Sequence, residues 1–171
     1  MNRVVFSSKD LSWCTPQKFF DELNKEFKFT LDAAATSESA KCEKYYTPED
    51  DALSQPWDAT EGAVFCNPPY GRQIGKWVEK AFIESLKGTT IVLLVPSRTC
   101  TRWFHNHVLD HAEIRFIRSR LRFADAKGNT QKNSAPFPSM VVVYNGPPRK
   151  MCVVSRIYNA ANYNPKKKKG G

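Results

Sequence analysis

The sequence predicts an α/β fold: a mostly parallel sheet with helices on both faces and an antiparallel hairpin at one edge. Three observations carry this. Strand-like and helix-like segments alternate along most of the 171 residues. The run TIVLLV at 90–95 is apolar throughout, as a central parallel strand buried on both faces requires. Near the end, LRF at 121–123 and MVVVY at 140–144 flank a polar excursion and not a helix, so they read as an antiparallel pair.

Each element has a local cause. Thr15 and Pro16 open the first helix, the threonine as a cap and the proline in the first turn. Phe19, Phe20, Leu23 and Phe27 then fall on one helical face. FTL at 29–31 reads as a short buried strand ending at Asp32, 36–42 as a short helix and 43–46 as a weak strand. A loop through Asp50 and Asp51 closes at Trp57, and 63–66 is a strand that stops at two prolines. Trp77, Val78, Ala81, Phe82 and Leu86 share a helical face, with Lys76, Glu79 and Lys80 turned outward. The strand at 90–95 stops at Pro96, a helix follows over 101–109, and 113–117 is the next strand. One domain is expected over 1–160, followed by a disordered basic tail at 161–171 that ends in KKKKGG.

Composition narrows the class. Hydrophobic residues make up 41% and charged residues 25%, ordinary values for a water-soluble domain. The longest apolar run is too short to cross a membrane, and no signal-peptide core precedes it. Five scattered cysteines without a CxxC pair argue for a reducing cytoplasm and against a metal site or a disulfide framework. The net charge of +9 is uneven: residues 1–62 carry −5 and residues 63–171 carry +14. A basic region of that kind commonly meets phosphates, which points to nucleic acid, though solubility alone can also produce one.

In α/β sheets the reactive groups gather at the carboxyl ends of the strands. Three strand ends carry unusual residues: Asp32; Asn67 with Pro68, Pro69 and Tyr70; and Pro96 with Ser97 and Arg98. Proline offers no backbone donor, so the Asn67 side-chain oxygen and the Pro68 carbonyl can both face outward as acceptors. Two adjacent acceptors match an exocyclic NH2, and the Tyr70 ring can stack on the heterocycle that bears it. Held so, the nitrogen lone pair turns toward an incoming methyl group with no metal or general base. Taken alone, the four residues also read as a plain turn. His105, His107 and His111 read as surface or packing residues, and Cys66 and Cys100, lacking a histidine partner, as bystanders.

The ordered set TPQKFFDELNKEFKFTLDAAAT, YYTPEDDAL, QPW, FCNPPYG, VPSRT and SAPFPSMVVVY spans roughly residues 10–145. It resembles the phage-type DNA N6-adenine methyltransferase (Dam) family, and NPPY looks like the catalytic signature of amino-group methyltransferases. The resemblance implies a Rossmann-like, S-adenosyl-L-methionine-dependent fold. It implies methyl transfer to the exocyclic N6 amine of a flipped adenine in double-stranded DNA, in the bacterial host cytoplasm if the chain is phage-encoded. By position, Asn67, Pro68, Pro69 and Tyr70 would form the catalytic cradle. Trp13, Thr15 and Pro16 would close over the methionine end of the cofactor. Asp32, Ala33 and Ala34 would hold the first cofactor motif, and Asp50 or Asp51 would meet the ribose or adenine. Two features depart from related folds: LDAAAT lacks the usual glycines, and the short stretch from Asp32 to Asn67 implies a reduced strand–helix pair. No insertion is large enough for a separate recognition domain, so base reading falls to 97–102 and the basic hairpin 118–132. Arg98, Arg102, Arg120, Arg122, Lys127 and Lys132 are the candidate nucleic-acid contacts there. The same motif also serves RNA and protein-glutamine amino-methylating enzymes, and an inactive nucleic-acid-binding relative is a further alternative. The oligomeric state stays open.

Overall fold

The central strands are buried nearly throughout, and alternate residues along them face opposite layers. The computed structural model describes residues 13–59, 61–125, 127–145 and 153–163. In chain order the elements are α1 (Gln17–Phe27), β1 (Phe29–Asp32), β2 (Lys44–Tyr45), β3 (Ala63–Cys66) and α2 (Ile74–Ser85). Then come β4 (Thr90–Pro96), α3 (Arg102–His107), β5 (Glu113–Arg118), β6 (Ser139–Tyr144) and β7 (Val153–Asn159). The strands form one sheet in the order β2-β1-β3-β4-β6-β5-β7. β2, β1, β3 and β4 pair in parallel, β6 runs antiparallel to both β4 and β5, and β7 is parallel to β5. Among the described strands β6 therefore alone runs the other way.

Val64, Cys66, Ile91, Leu93, Met140 and Val142 face one layer, where they pack with Trp77, Val78 and Ala81 of α2 and Phe104 of α3. Their neighbours Phe65, Val92, Leu94, Val141 and Val143 face the opposite layer with Phe19, Phe20 and Leu23 of α1. Period-two alternation thus splits one apolar run between two cores. Leu121, Phe123 and Ala135 complete the second layer.

Local chemistry sets the connections. Lys28 ends α1 in the left-handed region at φ 55°, where the Asn24 carbonyl accepts the Lys28 N–H and the Asn24 side-chain oxygen accepts the Phe29 N–H. Gly62 is required for close approach, since a Cβ there would sit 2.2 Å from the Lys28 carbonyl oxygen. Buried Arg115 on β5 donates two bonds to the Glu26 carboxylate at the end of α1 and one to the Tyr158 hydroxyl of β7. Glu84 on α2 accepts from Lys80 and Lys87 and from the Trp57 N–H, pinning the loop before β3.

The mostly parallel sheet is as the sequence predicts, with three differences in detail. Residues 36–42 do not form a helix: the Ser39 hydroxyl accepts the Thr36 N–H at 2.9 Å, and Ser39 donates its own N–H to the Thr36 hydroxyl. Those local bonds compete with helix continuation. The antiparallel strand is interior and not at the edge, and its partners are β4 and β5 and not 121–123. Residues 121–123 instead start a separate hairpin arm. In that arm Gln131 donates to the Phe123 carbonyl, Ala135 to the Leu121 carbonyl and Asp125 to the Asn129 carbonyl, with Gly128 turning the tip at φ 82°. The third difference is β7, an edge strand whose Ser155 and Arg156 interrupt the apolar pattern. Of the expected tail, Ala161 and Asn162 belong to the 3₁₀ turn Ala160–Asn162, and residues 164–171 lie outside the described residues.

Candidate active site

The carboxyl ends of β1, β3 and β4 share one edge of the sheet. β6 starts from that edge too, because Ser139 sits opposite Pro96. Chain leaving at Asp32, Asn67 and Ser97 therefore emerges side by side, and the hairpin arm returns over the same edge. A cleft opens between the ends of β1 and β3. Of the expected residues it is lined by Trp13, Thr15, Asp32, Ala34, Asn67, Pro68 and Pro69.

Asn67 is held by one end of its amide. Its Nδ2 donates to the Trp13 carbonyl oxygen at 2.6 Å, and a carbonyl can only accept, so the orientation of the amide is fixed. Its Oδ1 is buried and has no partner among the described residues. A buried acceptor left open in a folded protein needs an explanation. Pro68 follows with no donor of its own. Tyr70 stands beside the cleft and not in its lining. Its hydroxyl donates to the Leu94 carbonyl at 3.0 Å, and its ring meets Phe137 edge-on at 5.3 Å and Phe123 at 6.1 Å. Phe137 also meets Trp13 at 5.2 Å. The sequence did not single out Phe137; its only signal was an aromatic ring between two prolines in the excursion.

Asp32 is almost fully buried, at 3% exposure. Its two oxygens accept the Ala34 N–H at 3.3 Å and the Lys41 N–H at 3.1 Å. One carboxylate thereby ties both ends of the glycine-free loop after β1. Burial raises its pKa to about 6, and the two N–H bonds and nearby Lys41 restrain the rise. Ala33 lies behind the cleft, its N–H on the Phe65 carbonyl at 2.9 Å. Lys41 and Cys14 line the cleft without having been expected there. No periodicity marks them, because the loop and the strand ends meet only in three dimensions.

Thr15 does not cap α1. Pro16 occupies that position without a side-chain bond, and the Thr15 hydroxyl is buried, in the cleft lining and unpartnered among the described residues. Asp50 and Asp51 stand outside the lining. Asp50 closes a capping box with Thr47, accepting both its N–H and its hydroxyl. Those bonds hold its pKa below the usual carboxylate value.

All six candidate phosphate contacts follow strand ends on the site's edge. Arg98, Arg102, Arg120, Lys127 and Lys132 are exposed, while Arg122 is half-buried. The hairpin that carries the last of them is paired with the cleft wall: Cys14 and Ala124 exchange both backbone hydrogen bonds, at 3.0 and 2.8 Å. Elsewhere, His107 and His111 pack on the Phe82 ring, and burial raises the thiols of Cys14 and Cys66 above their usual value and Cys42 to about 12. No group of three or more metal-ligating side chains occurs among the described residues. None of their helices is long and apolar enough to cross a membrane.

A seven-stranded sheet with one reversed interior strand, and its cleft at the carboxyl ends, is the Rossmann-like fold of methyltransferases. The chain belongs to the family described as DNA N-6-adenine-methyltransferase (Dam), whose model matches residues 3–166. It is 34% identical over 123 residues to the DNA N-6-adenine-methyltransferase of Escherichia phage T1, covering 71% of this chain and 50% of that protein. Over 142 residues it is 31% identical to the DNA N-6-adenine-methyltransferase of Haemophilus phage HP1, covering 81% of this chain and 80% of that protein. The chain thus spans about half the length of the T1 relative and most of the HP1 relative.

Proposed function

We propose that the chain transfers a methyl group from S-adenosylmethionine to the N6 amine of an adenine turned out of double-stranded DNA. One observation carries the reading: the buried Asn67 Oδ1, fixed as an acceptor by the bond from its own amide nitrogen to Trp13. Beside the Pro68 carbonyl, it gives an amino group two places to donate. The family supports adenine as the base that brings that amine, and the basic residues on the same edge support a phosphate backbone.

The residues of the cleft fit the proposed cofactor. The orphaned Thr15 hydroxyl and the buried Asp32, with Trp13 and Lys41, line the cleft, and S-adenosylmethionine carries charged, polar and aromatic parts to answer them. When bound, it supplies an activated methyl group on a positively charged sulfur. Asn67 and Pro68 then hold the target nitrogen by both its hydrogens, which keeps its lone pair free. Tyr70 and Phe137 flank the base position with aromatic surface. Acceptors fixed before the reaction need no reorganisation during it.

The test is tritium transfer from labelled cofactor to unmethylated DNA, to RNA and to a protein extract. The expected outcome is label in DNA, and Asn67→Ala lowering turnover by about 10²–10³-fold, the cost of one preorganised polar group, with cofactor affinity nearly unchanged. Label in RNA or protein alone, or near-normal turnover by Asn67→Ala, contradicts the reading.

A further inference from the structure

Asn67 Oδ1, the acceptor on which the proposed reaction depends, is buried. An amino group arriving from solvent cannot reach it in this state, so part of the site has to move before a base enters. The rings nearby show which part. Tyr70 and Phe137 meet edge-on, with centroids 5.3 Å apart and planes inclined at 79°. Carbon atoms pack at about 3.5–4 Å, so a flat base held face to face between two rings needs them near-parallel and about 7–8 Å apart. Phe137 also meets Trp13 at 5.2 Å and Phe123 at 6.2 Å, so its ring fills the space among the other aromatics. Of these four side chains Phe137 is the least tied. The Tyr70 hydroxyl is bonded to the Leu94 carbonyl. Trp13 holds Asn67 through its own carbonyl and precedes the bridge between Cys14 and Ala124. Phe123 is fully buried, and its carbonyl accepts the Gln131 N–H. Phe137 is half-buried and stands between Pro136 and Pro138, neither of which has an N–H to donate. The backbone on either side is anchored: Ala135 donates to the Leu121 carbonyl, and the Pro138 carbonyl accepts the Ser97 N–H. Ala135 and Phe137 each precede a proline, which holds them to extended backbone. With the chain stiff and fixed at both ends, opening falls to rotation of the Phe137 side chain.

We propose that Phe137 is a plug. In the free protein its ring takes the place of the target base against Tyr70. When the base turns in, the ring swings aside, opens the way to the Asn67 acceptor and borders the base it has admitted. This rests on the reading of Asn67 and Tyr70 as the site of the target base, and adds how that site is kept in the base's absence. The aromatic surfaces stay packed on one another and dry until a base displaces the plug. Affinity for the extruded base is then reduced in proportion to the fraction of molecules that stand open.

The test puts 4-fluorophenylalanine in place of Phe137, which keeps the ring and adds a fluorine label. The DNA is a short unmethylated duplex carrying a site that sequencing shows the wild type to methylate. A second duplex is identical except for an abasic nucleotide in place of the target adenine. With S-adenosylhomocysteine replacing the methyl donor, the fluorine resonance is expected to shift on saturation with the intact duplex and to stay in place with the abasic one. An unchanged resonance at saturating intact duplex overturns the proposal. So does the same shift with both duplexes, which would make Phe137 respond to the DNA backbone and not to the base. If the wild type methylates no adenine in DNA, the reading of the site falls first, and the plug falls with it.

Discussion

Asp32 shows how one residue sets a pH dependence. Burial puts its folded pKa at about 6, against about 3.9 in an unfolded chain. The folded protein without cofactor thus holds this proton more tightly than the unfolded chain does. The stability it contributes is fully present below about pH 4 and is lost as pH rises through about 6. A shift of about two units corresponds to about 3 kcal/mol. The titratable groups facing it are Lys41, Cys14, Cys42 and Cys66, and the raised thiols stay protonated across that range. Urea unfolding of the cofactor-free protein between pH 4 and 7 is expected to show the fall, and Asp32→Asn to flatten it. An unchanged slope in Asp32→Asn would place the titration elsewhere.

Among the elements, the hairpin from Leu121 to Ala135 is the one proposed to meet the DNA backbone. It joins the cleft wall through Cys14 and Ala124 and presents Lys127 and Lys132 to solvent. Replacing both lysines by glutamate is expected to weaken DNA binding and to lower the salt slope of log K by about 2 or more, because each phosphate left without its lysine takes about 0.9 from the slope. An unchanged slope in a salt titration would place the phosphates elsewhere. The elements also show what could be read beforehand. β4 was legible because its apolar run needs no partner to be recognised. β3 was legible because two prolines end it. The turn at 36–42 was not, because Thr36 and Ser39 settle it through side-chain bonds to the backbone. The pairing of β6 between β4 and β5 was equally hidden. Strand order depends on long-range packing, and the short excursion around 121–138 made 121–123 the nearer partner.

At the scale of the molecule, the sheet brings three distant strand ends to one edge, and that is why sequence position grouped residues that line one cleft. Asp32 ends one parallel strand, and Asn67 and Ser97 each follow another, so knowing the fold class was enough to group them. Trp13 and Thr15 were grouped by the family resemblance and line the same cleft. Lys41 and Phe137 were not legible, since nothing near them in the chain names their partners. Asp50 shows another case: an acidic residue outside the cleft lining, one of whose carboxylate oxygens accepts two bonds from Thr47. Above all, Asn67 and its neighbours are proposed to accept the amine of an adenine in DNA. Incubating unmethylated genomic DNA with the protein and S-adenosylmethionine, then sequencing at base resolution, tests this without an intermediate step. N6-methyladenine that accumulates with the wild type and about 10²–10³-fold more slowly with Asn67→Ala is the predicted result. Methylation of another base, or adenine methylation at a near-normal rate in Asn67→Ala, would contradict it.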